Sequence, residues 1–153
     1  MKIGVKLTLG FLAILAALAA VATLSLVSIG VISGDLEVIY ATYLPSIDAL
    51  DQADRDLYQL IEAERSLLLL APGDERAAKF AAAYKDNFQQ SADRVAKAAG
   101  LARSEEERTI YAEYDRTRAA WVGLSARVLE LQAAGRGAEA LALSLGEASL
   151  RFG

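Results

Sequence analysis

From Leu7 to Ile32 the chain carries no charged side chain, a run of 26 residues. As a helix rising 1.5 Å per residue this run reaches about 39 Å, more than the roughly 30 Å of hydrocarbon in a bilayer. Two fates suit such a segment. Lys2 and Lys6 make a basic leader, and Ala17-Leu18-Ala19 and Ala20-Val21-Ala22 offer the small-x-small pattern of a cleaved secretory signal. However, the apolar run continues ten residues past Ala22, through Leu24, Leu26, Val27, Ile29, Val31 and Ile32, where a signal's hydrophobic region has already ended. The segment therefore reads as an uncleaved anchor over residues 7–32. Basic residues precede it and Asp35 and Glu37 follow it, which puts residues 1–6 in the cytoplasm and residues 33–153 outside. Gly30 and Gly34 form one G-x-x-x-G, a spacing that lets anchor helices approach but that also arises by chance.

Composition narrows the chemistry of the rest. The 153 residues include no Cys and no His, which excludes disulfides, thiolate or imidazole metal sites, Ser-His-Asp triads and Cys-His nucleophiles. Only carboxylate chemistry, or none, is left. The net charge of -4 is uneven: residues 1–32 hold Lys2 and Lys6 and no acid, while the remainder carries the other 14 basic residues and all 20 acidic ones. With no basic stripe to follow a phosphate backbone, nucleic acid is not an expected partner.

Past the anchor, apolar residues recur at steps of three and four, the spacing of helices that bury one face. The first stretch, Asp35 to Ala71, has a stripe of Ile39, Tyr43, Ile47, Leu50, Leu57, Leu60, Ile61, Leu67 and Leu68, with Pro45 as a kink or break. Ala71-Pro72-Gly73-Asp74 stops it and supplies Asp74 as N-cap of the next. The second, Glu75 to Ala99, places Ala77, Ala81, Tyr84, Phe88, Ser91, Val95 and Ala98 on one face and ends at Gly100. Ser104 and Glu107 form a capping box that opens the third. Its seam is Ile110, Tyr114, Thr117, Trp121, Leu124, Val128 and Leu131, up to Gly135-Arg136-Gly137. The fourth shows Ala138, Leu141, Leu145, Ala148 and Phe152. The expected class is all-α: a transmembrane helix continuing into an up-down four-helix bundle. Its fourth helix, about half as long as its neighbours, is read as truncated, by fragmentation or by an early stop.

Lys2 and Lys6, the anchor, Tyr43-Leu44-Pro45, the phrase Glu64-Arg65-Ser66-Leu67-Leu68-Leu69-Leu70-Ala71-Pro72-Gly73-Asp74 and the turn Leu131-Gln132-Ala133-Ala134-Gly135-Arg136-Gly137-Ala138-Glu139-Ala140-Leu141 together make a familiar order. This order resembles the N-terminal anchor and four-helix-bundle sensor region of bacterial methyl-accepting chemotaxis proteins. The resemblance implies a bundle outside the inner membrane that works as a homodimer through helix 1 and binds a small ligand or a periplasmic binding protein. In the complete family pattern a second membrane helix, a linker and a methylated cytoplasmic coiled coil follow. Kinase partners would be reached only through such regions, which this sequence does not include. Histidine-kinase sensor regions share the shape, and a helical scaffold without a ligand is the reading from a different class.

Candidate sites are few. In amino-acid-sensing members of the family, arginines on helix 1 hold the ligand carboxylate; Arg65 resembles the middle one, with Leu60 and Leu69 at the flanking places. The plainer role for Arg65 is an i,i+3 pair with Glu62. Asp48, Asp51 and Asp54 lie three apart, but a calcium site needs six to eight oxygens from several segments, so they read as a solvated acidic face. No metal or other cofactor is expected. The pairs around Glu62 and Glu64 show no pocket for acid/base catalysis, so an enzyme is not expected. Tyr84, Phe88, Tyr114 and Trp121 lie in the stripes and read as core. Tyr40 and Tyr43 read as interfacial anchors.

Overall fold

A computed structural model describes residues 2–71 and 73–148 of the chain. It divides into two compact units, Met1–Tyr43 and Leu44–Gly153. In the first, α1 runs from Ile3 to Val38, 36 residues with none buried. Its most apolar 18-residue window has a mean hydropathy of 2.5. The hydroxyls of Thr8, Thr23 and Ser25 donate to the carbonyls of Gly4, Ala19 and Val21 at 3.0, 2.9 and 2.8 Å. These three hydroxyls thus find partners within their own helix, as a lipid environment demands. A π turn, Ile39–Tyr43, follows. It lies where Pro45, which has no N–H for the Ala41 carbonyl, prevents a regular turn.

The second unit's described elements are helices joined by short turns: α2 Leu44–Leu69, α3 Ala77–Ala99, α4 Glu105–Ala133 and α5 Gly137–Leu143, with a π turn at Ser144–Ala148. Short connections make successive helices antiparallel neighbours, which gives the expected up-down bundle. The described part of its fourth member is seven residues of α-helix and a five-residue π turn in which Gly146 leaves helical geometry.

The buried faces differ from the predicted stripes. On α2 the buried residues are Ala49, Ala53, Asp56, Leu60, Ala63 and Glu64; Ile47 and Leu50 are exposed, and Leu57, Ile61, Leu67 and Leu68 are half-buried. Small residues allow α3 to approach closely, which pushes the large side chains to the flanks of the contact line. On α3, Ser91, Val95 and Ala98 are buried, Tyr84 and Phe88 half-buried and Ala81 exposed. On α4, Trp121, Ser125, Val128 and Leu131 are buried, while Ile110 and Thr117 are exposed. The fourth stripe is corrected most. Ala140, Ser144 and Ala148 face inward, Leu141 and Leu145 are exposed, and Phe152 lies outside the described residues. Val128, Leu131 and Ala140 form an apolar cluster with Leu68 and Leu143 against it, so the inward face of α5 is one residue from the expected one already before the kink at Gly146.

The turns follow their local chemistry, with two departures. The capping box is present: Ser104 accepts from the Glu107 N–H at 3.1 Å, and Glu107 accepts from Ser104 N–H at 3.1 Å. Glu107 also accepts from Arg103 N–H, and these backbone donors hold its carboxyl below the usual range. At the first turn Gly73 takes φ +84. Asp74 is not the N-cap of regular α3, which begins three residues later at Ala77. It accepts from the N–H of Arg76 at 2.9 Å and pairs with its guanidinium at 2.7 Å, which lowers its pKa to about 2. Gly100 ends α3 without entering the left-handed region, at φ -64. Gly135, at φ +75, closes α4 in a Schellman motif: Arg136 N–H bonds Leu131 O at 2.9 Å and Gly135 N–H bonds Gln132 O at 3.0 Å.

The two glycines should therefore respond oppositely. Gly135→Ala forces a Cβ into left-handed backbone and should lower unfolding free energy by about 1–2 kcal/mol. Gly100→Ala, whose Cβ would meet carbonyl oxygens at 3.4 Å, should be neutral or stabilising by up to about 1 kcal/mol. Chemical denaturation of the full chain followed by circular dichroism measures both.

Candidate polar layers of the bundle

The interior of the second unit is crossed by polar side chains. Asp56 and Glu64 flank Leu60 four residues either way along α2, so all three share the buried face. Asp56 is 1% exposed and pairs with Arg94 of α3, whose Nε lies 2.8 Å from Oδ2. Arg94 also donates to Gln52. This is an α2–α3 link, and Asp56 Oδ1 also lies 3.3 Å from a guanidinium nitrogen of Arg55 on its own helix, so the buried carboxylate has two cationic partners. Further along, Arg118 of α4 donates to the Phe88 carbonyl at 3.0 Å and to Ser91 Oγ at 3.3 Å, and its guanidinium lies 4.6 Å from the centre of the Phe88 ring.

The third layer gathers side chains from all four helical segments. Glu64 is 3% exposed. Its Oε1 accepts from Ser144 Oγ at 2.6 Å and its Oε2 from Ser125 Oγ. Ser125 Oγ is in turn 2.7 Å from Tyr84 OH. Buried carboxylates need donors, and here three hydroxyls form the chain of hydrogen bonds. Among the described residues no basic side chain pairs with Glu64 within 4 Å.

Arg65 is exposed, while its neighbour Glu64 faces inward, so the two belong to different faces of α2. Among the described residues no ion pair joins Arg65 to Glu62. Asp48, Asp51 and Asp54 are all exposed, and Asp48 accepts from Gln52 at 2.8 Å. Among the described residues no group of three acidic side chains is placed to hold a metal. Trp121 is buried, and Tyr84, Phe88 and Tyr114 are half-buried, in the core side of their helices. Tyr40 and Tyr43 are exposed in the first unit. A 230 Å³ cleft lies among Leu50, Val95, Glu107, Ile110, Tyr111 and Tyr114.

From sequence, the role weighed for Glu64 is that of a catalytic carboxylate, and the stripes admit Ser91 and Thr117 but not Ser125 or Ser144. The signal was available: Ser125 is four residues after Trp121, and Ser144 is midway between Ala140 and Ala148.

Burial raises the phenols of Tyr84 and Tyr114, against the opposing pull of Ser125 and Arg118 respectively. Both rings stay neutral in the folded chain at a pH that ionises them when unfolded, so folding loses stability as pH rises through this range. A tyrosinate absorbance titration should resolve two late-ionising groups among the six tyrosines; Tyr84→Phe should remove one.

The chain matches the family model described as a four helix bundle sensory module for signal transduction, over residues 1–152. No curated protein and no solved structure matches it. An apolar helix with nothing buried, followed by an antiparallel bundle, is the arrangement this match covers. The chain belongs to the family of four-helix-bundle sensory modules of methyl-accepting chemotaxis proteins.

Proposed function

We propose that this chain is the sensory input module of a transmembrane chemotaxis receptor and performs no reaction of its own. Residues 7–32 cross the cytoplasmic membrane, residues 1–6 stay inside, and residues 33–153 form the sensing region outside. The observation that carries this reading is the family match over residues 1–152 in a chain whose first helix contains an 18-residue window of mean hydropathy 2.5 and has no buried residue. A helix of that kind requires another apolar medium. Lys2 and Lys6 on one side and Asp35 and Glu37 on the other support the orientation.

A small ligand, or a binding protein carrying one, acts on the bundle and displaces a helix, and the chain that joins the two units passes the displacement inward. For this to happen the ligand must bind two helix arrangements unequally. The module works as a homodimer through α2 and reaches kinases through cytoplasmic regions beyond this sequence. Arg65, exposed on α2, is the candidate for holding a ligand carboxylate.

A thermal-shift screen of the full chain in detergent against small metabolites tests the reading. A ligand at a hundred times its Kd should stabilise the folded state by about 2.7 kcal/mol. For a carboxylate ligand, Arg65→Ala should weaken binding about tenfold, about 1.4 kcal/mol. Unchanged affinity removes Arg65, and a screen with no stabilising metabolite or binding protein favours the scaffold. Orientation is checked with reporter fusions. Alkaline phosphatase fused after residue 44 should be active, and reversing the charge of Lys2 and Lys6 should reduce that activity.

A further inference from the structure

The segment Gly137–Ala148 is held to the bundle by an unusually small apolar face. Its inward residues are Ala140, Ser144 and Ala148, at 0, 3 and 4% exposure. Leu143 is half-buried against the Val128, Leu131 and Ala140 cluster, while Leu141 and Leu145 are exposed. Alanine contributes one methyl to burial where leucine contributes four carbons, so this interface gains less from the hydrophobic effect than a leucine-faced one. A buried hydrogen bond is a correspondingly larger share of what holds the segment.

That bond is Ser144 Oγ to Glu64 Oε1, 2.6 Å long with both residues buried. Removing one partner of a buried hydrogen bond leaves the other group unsatisfied, which costs more than the bond itself contributes. The regular helix also ends at this residue. Ser144 opens the π turn, and Gly146, at φ -94 and ψ -106, has left helical geometry. Ser144 itself keeps helical backbone, at φ -63 and ψ -42, and its N–H still bonds Ala140 O, so regular helix carries its hydroxyl to Glu64 just before the kink. Glu64 is itself fixed from the other side by Ser125, which is bonded to Tyr84.

We infer that Glu64 is a latch for the last helical segment: its bond to Ser144 keeps Gly137–Ala148 on the bundle, and loss of that one bond frees the segment while α2, α3 and α4 stay packed. Glu64 acts as a positioning residue. The inference deepens the sensory reading and rests on it only for its use, as the element whose attachment a stimulus would bias.

Hydrogen exchange of the full chain in detergent, without ligand, tests the latch. Ser144→Ala should speed amide exchange in peptides from 137–148 by about tenfold or more and change α2 and α3 by less than about twofold, the pattern of local opening. Ser125→Ala removes the equivalent bond from α4 and should leave 137–148 within about twofold of the parent. Glu64→Gln, which keeps an acceptor oxygen, should retain protection of the segment, and Glu64→Leu should lose it. Three results would each overturn the latch: unchanged exchange of 137–148 in Ser144→Ala, equal release by Ser125→Ala, or faster exchange spread alike over all four helices. None of these depends on a ligand, so a failed metabolite screen and a failed latch are separate findings.

Discussion

A carboxylate removed from water must be given donors, and at Glu64 this requirement draws one side chain from each of the other helical segments of the bundle. Ser125 of α4 and Ser144 of the π turn after α5 donate to Glu64 directly, and Tyr84 of α3 joins through Ser125. Apolar packing is non-directional and would tolerate small rotations of any helix. Hydrogen bonds of 2.6 and 2.7 Å do not. The layer therefore selects one arrangement among the several that the alanine-rich faces could pack.

The other layers are narrower in reach. Asp56 and Arg94 join α2 to α3, where Ala49, Ala53 and Ala63 already allow close approach. Arg118 joins α4 to α3 through the Phe88 carbonyl and ring. Pairwise links stiffen two helices at a time. In a module whose proposed work is relative helix displacement, the layer that reaches the last segment is the one able to couple it to the rest, and a buried polar group of this kind specifies geometry more than it adds stability.

Much of the fold was legible in the primary structure because it depends on local chemistry. The apolar run, the capping box at Ser104 and Glu107, the breaker at Gly73 and the stop at Gly135 each act within a few residues, and each is found where the residues put it. The stripes were less legible. Steps of three and four identify a helix but allow its inward face to turn by one residue, and large apolar residues such as Ile47 and Leu50 attract the reading although they flank the contact. Asp74 and the fourth stripe show the same limit. Arg76 captures the Asp74 carboxylate before regular helix begins, and within regular α5 Ala140 is buried while Leu141 is exposed, so the inward face lies one residue from the expected one.

The amino-acid sequence by itself determined that there is a lipid-sized apolar helix, that helices follow it, and where most of them start and stop, since these depend on hydropathy, propensity and capping between near neighbours in the chain. Only the tertiary structure decided which polar residues are interior. Glu64 is 61 residues from Ser125 and 80 from Ser144. Helical spacing sets it on the side of Leu60, Leu67 and Leu68 and the exposed Glu62 off that side, but spacing does not say that a carboxylate there is enclosed or what satisfies it. Both are decided when four helices close around Glu64, because burial makes an unpaired carboxylate costly and distant hydroxyls are the groups that can satisfy it.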